Sequence, residues 1–131
     1  MRGLAIILAA TVTTLLAALP APAIPAREID PLAREFAYCV GRLSATMEHQ
    51  WLLSDPASDL TERQRGAMIS LLETVSPPDQ GGALMTLRLS AKFAHADLLR
   101  RAAFEPDARH AEAARHQAEI ALGQCLEMIL G

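Results

Sequence analysis

Few side chains in this sequence combine a reactive type with an informative position. The two cysteines come first: Cys39 in "REFAYCVGRL" and Cys125 in "LGQCLEMIL", 86 positions later. A nucleophilic thiol needs a cationic or imidazole neighbour and access to solvent, and neither stretch carries such a signature. In an oxidising compartment, a lone pair of cysteines in a small domain is expected to form a disulfide. Closing so long a loop would stabilise the fold by about 4–5 kcal/mol through the entropy removed from the unfolded chain. A reactive or metal-bound pair is the competing expectation.

The second set is Met47, Met68 and His95. Met47 and His95 fall on the apolar faces of their helices, at similar distances from the helix starts. Met68 falls nearby, and Ala111 and Ala114 offer small neighbours at that level. Thioether sulfur and imidazole suit a b-type haem or Cu(I). Methionine also fills irregular gaps in helical cores, and a histidine at a core margin is commonly hydrogen-bonded to one neighbour. His49 and His116 point to polar faces and His110 to a flank, as solvated residues do. The sequence contains no CxxCH, HExxH, GxSxG, phosphate-binding glycine loop, EF-hand loop or helical Glu-x-x-His pair. No catalytic residue is assigned, and enzyme activity is not expected.

The compartment follows from the N-terminus. Met1-Arg2 precedes the apolar run "LAIILAATVTTLLAAL", and "PAPAIPA" follows with Ala21-Pro22-Ala23 as a small-x-small site. This is the layout of a secretory signal cleaved after Ala23, with Ala26 as the fallback. The run is shorter than the roughly 20 residues of a spanning helix, so no stable membrane insertion is expected after cleavage. Eleven of the twelve basic residues are arginine, which suggests a GC-rich bacterial genome and export to the periplasm or the medium. Residues 24–131 then form a single domain, large enough for one core. This part is net acidic and has no basic run, so the electrostatic footprint of nucleic-acid binding is missing. Phe36, Tyr38, Trp51, Phe93 and Phe104 are too few to build a stacking surface.

Alanine and leucine dominate over valine and isoleucine, which favours helix throughout. Proline and glycine divide the domain into four helices at about 31–53, 61–75, 80–104 and 107–130. Asp30 caps the first and Pro31 takes its first position; its apolar face is Leu32, Phe36, Val40, Leu43, Met47 and Trp51. Thr61 and Gln64 have the spacing of a capping box at the start of the second, which continues through Met68, Leu71, Leu72 and Val75. The third presents Leu84, Leu87, Ala91, Ala94, Leu98 and Ala102 to the core. The fourth turns Ala111, Ala114, Ala118, Leu122, Cys125 and Ile129 inward. Short connections make consecutive helices antiparallel neighbours, so the predicted fold is an all-α, up-down-up-down antiparallel four-helix bundle. Gly41 weakens the first helix by up to about 1 kcal/mol relative to alanine; it either admits a close neighbour or lies exposed.

The third helix carries a second apolar stripe, Met85, Leu89, Phe93, Ala96 and Ala103, opposite its core face. Either another element covers it, or it meets a protein partner or a second copy of the chain. Leu60-Thr61-Glu62-Arg63-Gln64 resembles the LTxxQ motif of the Spy/CpxP-like periplasmic helical proteins. The resemblance implies an all-helical, cradle-shaped binder of unfolded proteins or metal; that family repeats the motif, and one copy occurs here. The sequence thus predicts an exported helical module, pinned by Cys39–Cys125, that binds a protein through Met85, Leu89, Phe93 and Ala96. Haem or copper at Met47, Met68 and His95 is the alternative.

Overall fold

The computed structural model of the protein describes residues 28–130. The secretory-signal expectation for residues 1–23 lies outside them. Within them the chain forms four helices: α1 (Pro31–Leu52), α2 (Ser58–Val75), α3 (Gly81–Phe104) and α4 (Ala108–Leu130). Each begins and ends for a local reason. The Asp30 carboxylate accepts the Ala33 N–H at 2.9 Å, and Pro31 fills the first turn of α1 without a wasted donor. At the other end Ser54 takes a left-handed backbone (φ 56°). Its N–H reaches the Trp51 carbonyl at 3.1 Å, and that of Asp55 reaches Gln50 at 2.8 Å. This is the pattern of a Schellman stop. Asp107 caps α4, accepting the N–H groups of Arg109 and His110 at 2.9 and 3.0 Å.

The start of α2 differs from the expectation. The helix begins at Ser58, one turn before the capping box would open it. Asp55 and Pro56 supply the earlier start: the Asp55 carboxylate accepts the Ala57 N–H at 2.9 Å, and its carbonyl accepts that of Ser58 at 3.2 Å. Thr61 is therefore buried inside the helix, donating its hydroxyl to the Ala57 carbonyl at 3.2 Å, and the Thr61–Gln64 box is not formed.

The fold is an all-α, antiparallel four-helix bundle whose helices alternate in direction along the chain. Cross-helix bonds fix the directions. Asp30 and Thr46 of the α1 segment meet Gln80 and His95 in ascending order, so α1 and α3 are parallel. Ser44 meets Arg65 of α2, and Cys39 meets Cys125 of α4. The neighbours are not those of a simple square, however. α1 packs on all three other helices and α4 on α3 and, more sparsely, on α2, but no Cα of α2 comes within 8 Å of one in α3. These two consecutive helices lie on opposite sides of α1.

Gly41 explains why α3 chooses α1. It is buried, and a Cβ built on it would overlap the Arg88 carbonyl oxygen, 2.8 Å from Lys92 N and 3.0 Å from Ala91 Cβ. Backbone meets backbone there because no side chain intervenes. Lys92 and Glu48 close the same seam with a 2.6 Å ion pair. Gln80 ties the start of α3 to the segment before α1: its side-chain oxygen accepts the Asp30 N–H at 3.0 Å, and its amide donates to the Glu28 carbonyl at 3.1 Å.

The core gathers on α1. Ala33, Phe36, Ala37, Val40 and Leu43 join Met68 and Leu72 of α2, Leu84 of α3 and the two cysteines. Because three helices surround α1, it is also buried at Ser44, Ala45 and Thr46, outside the expected stripe. Conversely Leu32 and Trp51, expected in the core, stand about half exposed near the two ends of α1. α4 buries the expected row, with Ala114, Ala118 and Cys125 fully inside and Ala111, Leu122 and Ile129 partly so. On α3, Ala94 is exposed and His95 takes the inward place.

Candidate functional site

Cys39 and Cys125 form a disulfide between α1 and α4, with Cα atoms 5.4 Å apart and both residues fully buried. The periodicity placed Cys125 at the centre of an apolar face and Cys39 at the edge of one, and both helices deliver them. The Arg42 guanidinium lies beside the bond, donating to the Ala121 carbonyl at 3.3 Å and approaching Cys125 Sγ at 3.7 Å. With both sulfurs joined and no free cysteine among the described residues, the pair is a staple rather than a reagent.

His95 is the most unusual polar residue of the interior. It is 2% exposed, on the face of α3 turned to α1 and α4. Its Nε2 lies 3.1 Å from Thr46 Oγ1, and that hydroxyl donates to the Arg42 carbonyl at 3.0 Å. Thr46 Oγ1 thus stands within hydrogen-bond distance of both the Arg42 carbonyl and His95 Nε2. Nδ1, the other ring nitrogen, is buried and has no hydrogen-bond partner among the described residues. Burial first, then the charges of Arg42 and His49, push the His95 pKa down from 6.5 to about 4, and the ring is neutral at physiological pH.

The His95 ring walls two adjoining clefts between α3 and α4. One, about 300 Å³, is lined by His49, Leu99, Ala102, Ala118, Leu122 and the rim residues Arg115 and Glu119. The other, about 330 Å³, is bounded by Tyr38, Arg42, Ala91, Ala94, Leu98 and Ala121. His49, expected on a polar face, is half-buried and shares the first cleft; His110 and His116 are exposed as expected. No methionine walls either cleft. Met68 is fully buried in the α1–α2 core with Leu43 and Leu72, and Met47 is buried next to Thr46 in sequence, about 100° away around α1. Of the three residues considered for haem or copper, His95 alone lines these two clefts. Among the described residues no group of three His, Cys, Asp or Glu side chains is arranged to hold a metal ion.

The outer stripe of α3 is uncovered. Met85, Leu89 and Phe93 are 48%, 45% and 68% exposed, in a row at i, i+4 and i+8. α2 leaves this face alone because it packs across α1, and only its end approaches Met85, along a groove with Leu72, Glu73, Pro77 and Arg88. Ala96 does not belong to the row; it is half-buried, on the flank of α3. A second exposed apolar group, unmarked by the periodicity, caps the end of the bundle where α1 and α3 finish: Trp51, Leu52, Leu53, Leu60 and Phe104. Three large apolar residues running straight into the breaker Ser54-Asp55-Pro56 were the available signal. No helix among the described residues is long and apolar enough to cross a membrane.

Comparison of the chain with protein-family models, with curated proteins and with solved structures finds no match. The likeness to the LTxxQ motif thus rests on Leu60–Gln64 alone, where the expected cap is not formed.

Proposed function

We propose that the protein is an exported, non-enzymatic binding module of the periplasm or the extracellular medium. In this reading a disulfide-pinned helical scaffold presents the outer row of α3 to a protein partner. The observation that carries it is the exposed row Met85, Leu89 and Phe93. Side chains of this size expose about 200 Å² each when free, so the row leaves about 300 Å² of apolar surface in water. A patch of that size is at the scale that marks interaction sites on monomers. It is well short of the roughly 800 Å² per partner of a stable dimer interface. That difference favours a transient contact with an apolar, amphipathic segment of another exported protein over a permanent second copy. The row is about 12 Å long at 1.5 Å per residue, two turns of such a segment, with Met85 at the mouth of the α2–α3 groove. The N-terminal secretory layout and the buried disulfide support export.

The test is a photo-crosslinker placed at Met85, compared with one at Glu62 on the exposed side of α2, in a periplasmic extract. A discrete product from Met85 alone, lost in Leu89→Glu/Phe93→Glu, is expected. The double variant should keep its helical circular dichroism, because both side chains already face water. Light scattering should show a monomer. If the double variant unfolds, the row is internal; if both crosslinker positions give the same products, the row has no specific partner.

A further inference from the structure

We propose that the groove between α2 and α3 selects the charge of the partner: the apolar segment that docks on Met85, Leu89 and Phe93 carries an Asp or Glu side chain, received by the guanidinium groups of Arg88 and Arg65. This rests on the protein-binding reading and deepens it, from an apolar surface to an acidic, amphipathic partner.

Both arginines are anchored on α1. Arg65 Nε donates to Ser44 Oγ at 2.7 Å. Three residues before Ser44, Gly41 brings the α3 backbone against α1 at the Arg88 carbonyl. Positions three apart on a helix are neighbours, so α2 and α3 each bring an arginine to one patch of α1. Both residues are half-buried, and neither has an ion-pair partner among the described residues. Burial first, then the charge of Arg65, lowers the Arg88 pKa, and Glu73 on the facing wall of the groove offsets only part of this. Two cations thus stand against one acid that pairs with neither.

The surroundings single out Arg88. With Met85, three residues before it, it lines the groove of about 340 Å³ that Leu72, Glu73 and Leu84 also wall. Lys92 holds the same place relative to Leu89, but its charge is met by Glu48 at 2.6 Å. Asp97, the one acid in the sequence of α3, is taken by Arg100 and Arg101. The apolar row therefore borders a cation whose charge nothing pairs. Guanidinium groups receive carboxylates in paired, charge-assisted hydrogen bonds, and complementary charge beside an apolar contact sets which partner is accepted. An acidic side chain on the flank of the docking segment meets Arg88 and Arg65 where its apolar neighbour meets Met85; a basic one there is repelled. The chain as a whole has a formal charge of −3, so its overall field favours a basic partner. Preference for an acidic one needs a local source, and Arg88 with Arg65 is the one the groove offers.

The test uses three synthetic helical peptides of about 14 residues. They share the same three leucines, spaced by four as anchors of a docking helix are, and differ in having Glu, Gln or Lys at two flanking positions. Fluorescence anisotropy measures their binding to the oxidised protein. The Glu peptide is expected to bind at least tenfold more tightly than the Lys peptide, with the Gln peptide between them. Arg88→Gln should reduce that ratio at least fivefold and leave the affinity for the Gln peptide within twofold, which shows that the row is intact. Arg109→Gln, at an exposed position on α4, makes the same change of net charge outside the groove and should leave the ratio unchanged. Equal binding of the Glu and Lys peptides, or a preference that survives Arg88→Gln, would overturn the inference; the protein-binding reading still stands if Leu89→Glu/Phe93→Glu abolishes binding of the Gln peptide. No binding of any peptide at 1 mM, or Gln-peptide binding indifferent to that double variant, would overturn both.

Discussion

Replacing Gly41 by alanine tests the seam on which the whole arrangement depends. In an isolated helix the change should be favourable by about 1 kcal/mol, because glycine has the larger conformational freedom to lose. Here the added Cβ meets the Arg88 carbonyl oxygen, Lys92 N at 2.8 Å and Ala91 Cβ at 3.0 Å. Two of these are backbone atoms of α3, so no rotamer change relieves the overlap. α3 must retreat by about 0.5–1 Å, and a gap of that size forfeits a quarter to a half of each dispersion contact along the seam. Overpacking of this kind costs about 1–3 kcal/mol, and after the helix-propensity gain the net loss is up to about 2 kcal/mol. The control is Gly66→Ala in α2, where a Cβ meets nothing within 4 Å; it should stabilise by up to about 1 kcal/mol. Urea unfolding followed by far-ultraviolet circular dichroism reads both, with unchanged m-values. The two substitutions should move the midpoint in opposite directions. If Gly41→Ala is as stable as Gly66→Ala, the close approach of α1 and α3 is wrong.

Two further outcomes follow from the interior. Reducing the Cys39–Cys125 bond, or replacing both residues by alanine, should cost about 4 kcal/mol on chain-entropy grounds for a loop of this length. It should also raise the urea m-value, because the unfolded chain is no longer looped; an unchanged midpoint would mean that the bond constrains little. His95 is held neutral down to about pH 4 when folded, whereas the unfolded chain protonates it below 6.5. Between these values the unfolded state binds the extra proton. Stability should therefore fall as pH drops through this window by about 3 kcal/mol, and change no further on this account below pH 4. The difference between wild type and His95→Gln, measured by urea unfolding at pH 7, 5.5 and 4, isolates the effect, and a constant difference would refute it.

Much of this structure was legible in the residues. The row Ala114, Ala118, Cys125 recurs at helical spacing, and α4 buries it. Asp30-Pro31 reads as a helix start and is one. Met68, Leu72 and Leu84 are large apolar residues at the right intervals, and they form the core. The failures have physical causes. Thr61 has the spacing of a cap, but the chain already turns at Asp55-Pro56, and the helix starts after Ala57 with no side-chain cap of its own. Trp51 matches the apolar period of α1, but it lies in the last turn of the helix and stands about half exposed. Gly41, Ala45 and Thr46 are weakly apolar or polar by type, so a hydrophobic pattern passes over them; Gly41 is buried because its missing side chain lets the α3 backbone come close, and Ala45 and Thr46 because three helices surround α1.

The candidate sites divide along the same line. Composition, the N-terminal layout and the two cysteines were sufficient by themselves to predict a helical, stapled domain, and the second stripe on α3 was visible as a pattern. Helical periodicity records which residues of one helix share a face, and nothing about which helix will lie against it. Only the tertiary structure decided that α2 packs away from the stripe and leaves Met85, Leu89 and Phe93 in water. The same packing gave the clefts at His95 no methionine in their walls. It also set His95 against Thr46 and left the second imidazole nitrogen, Nδ1, buried without a hydrogen-bond partner.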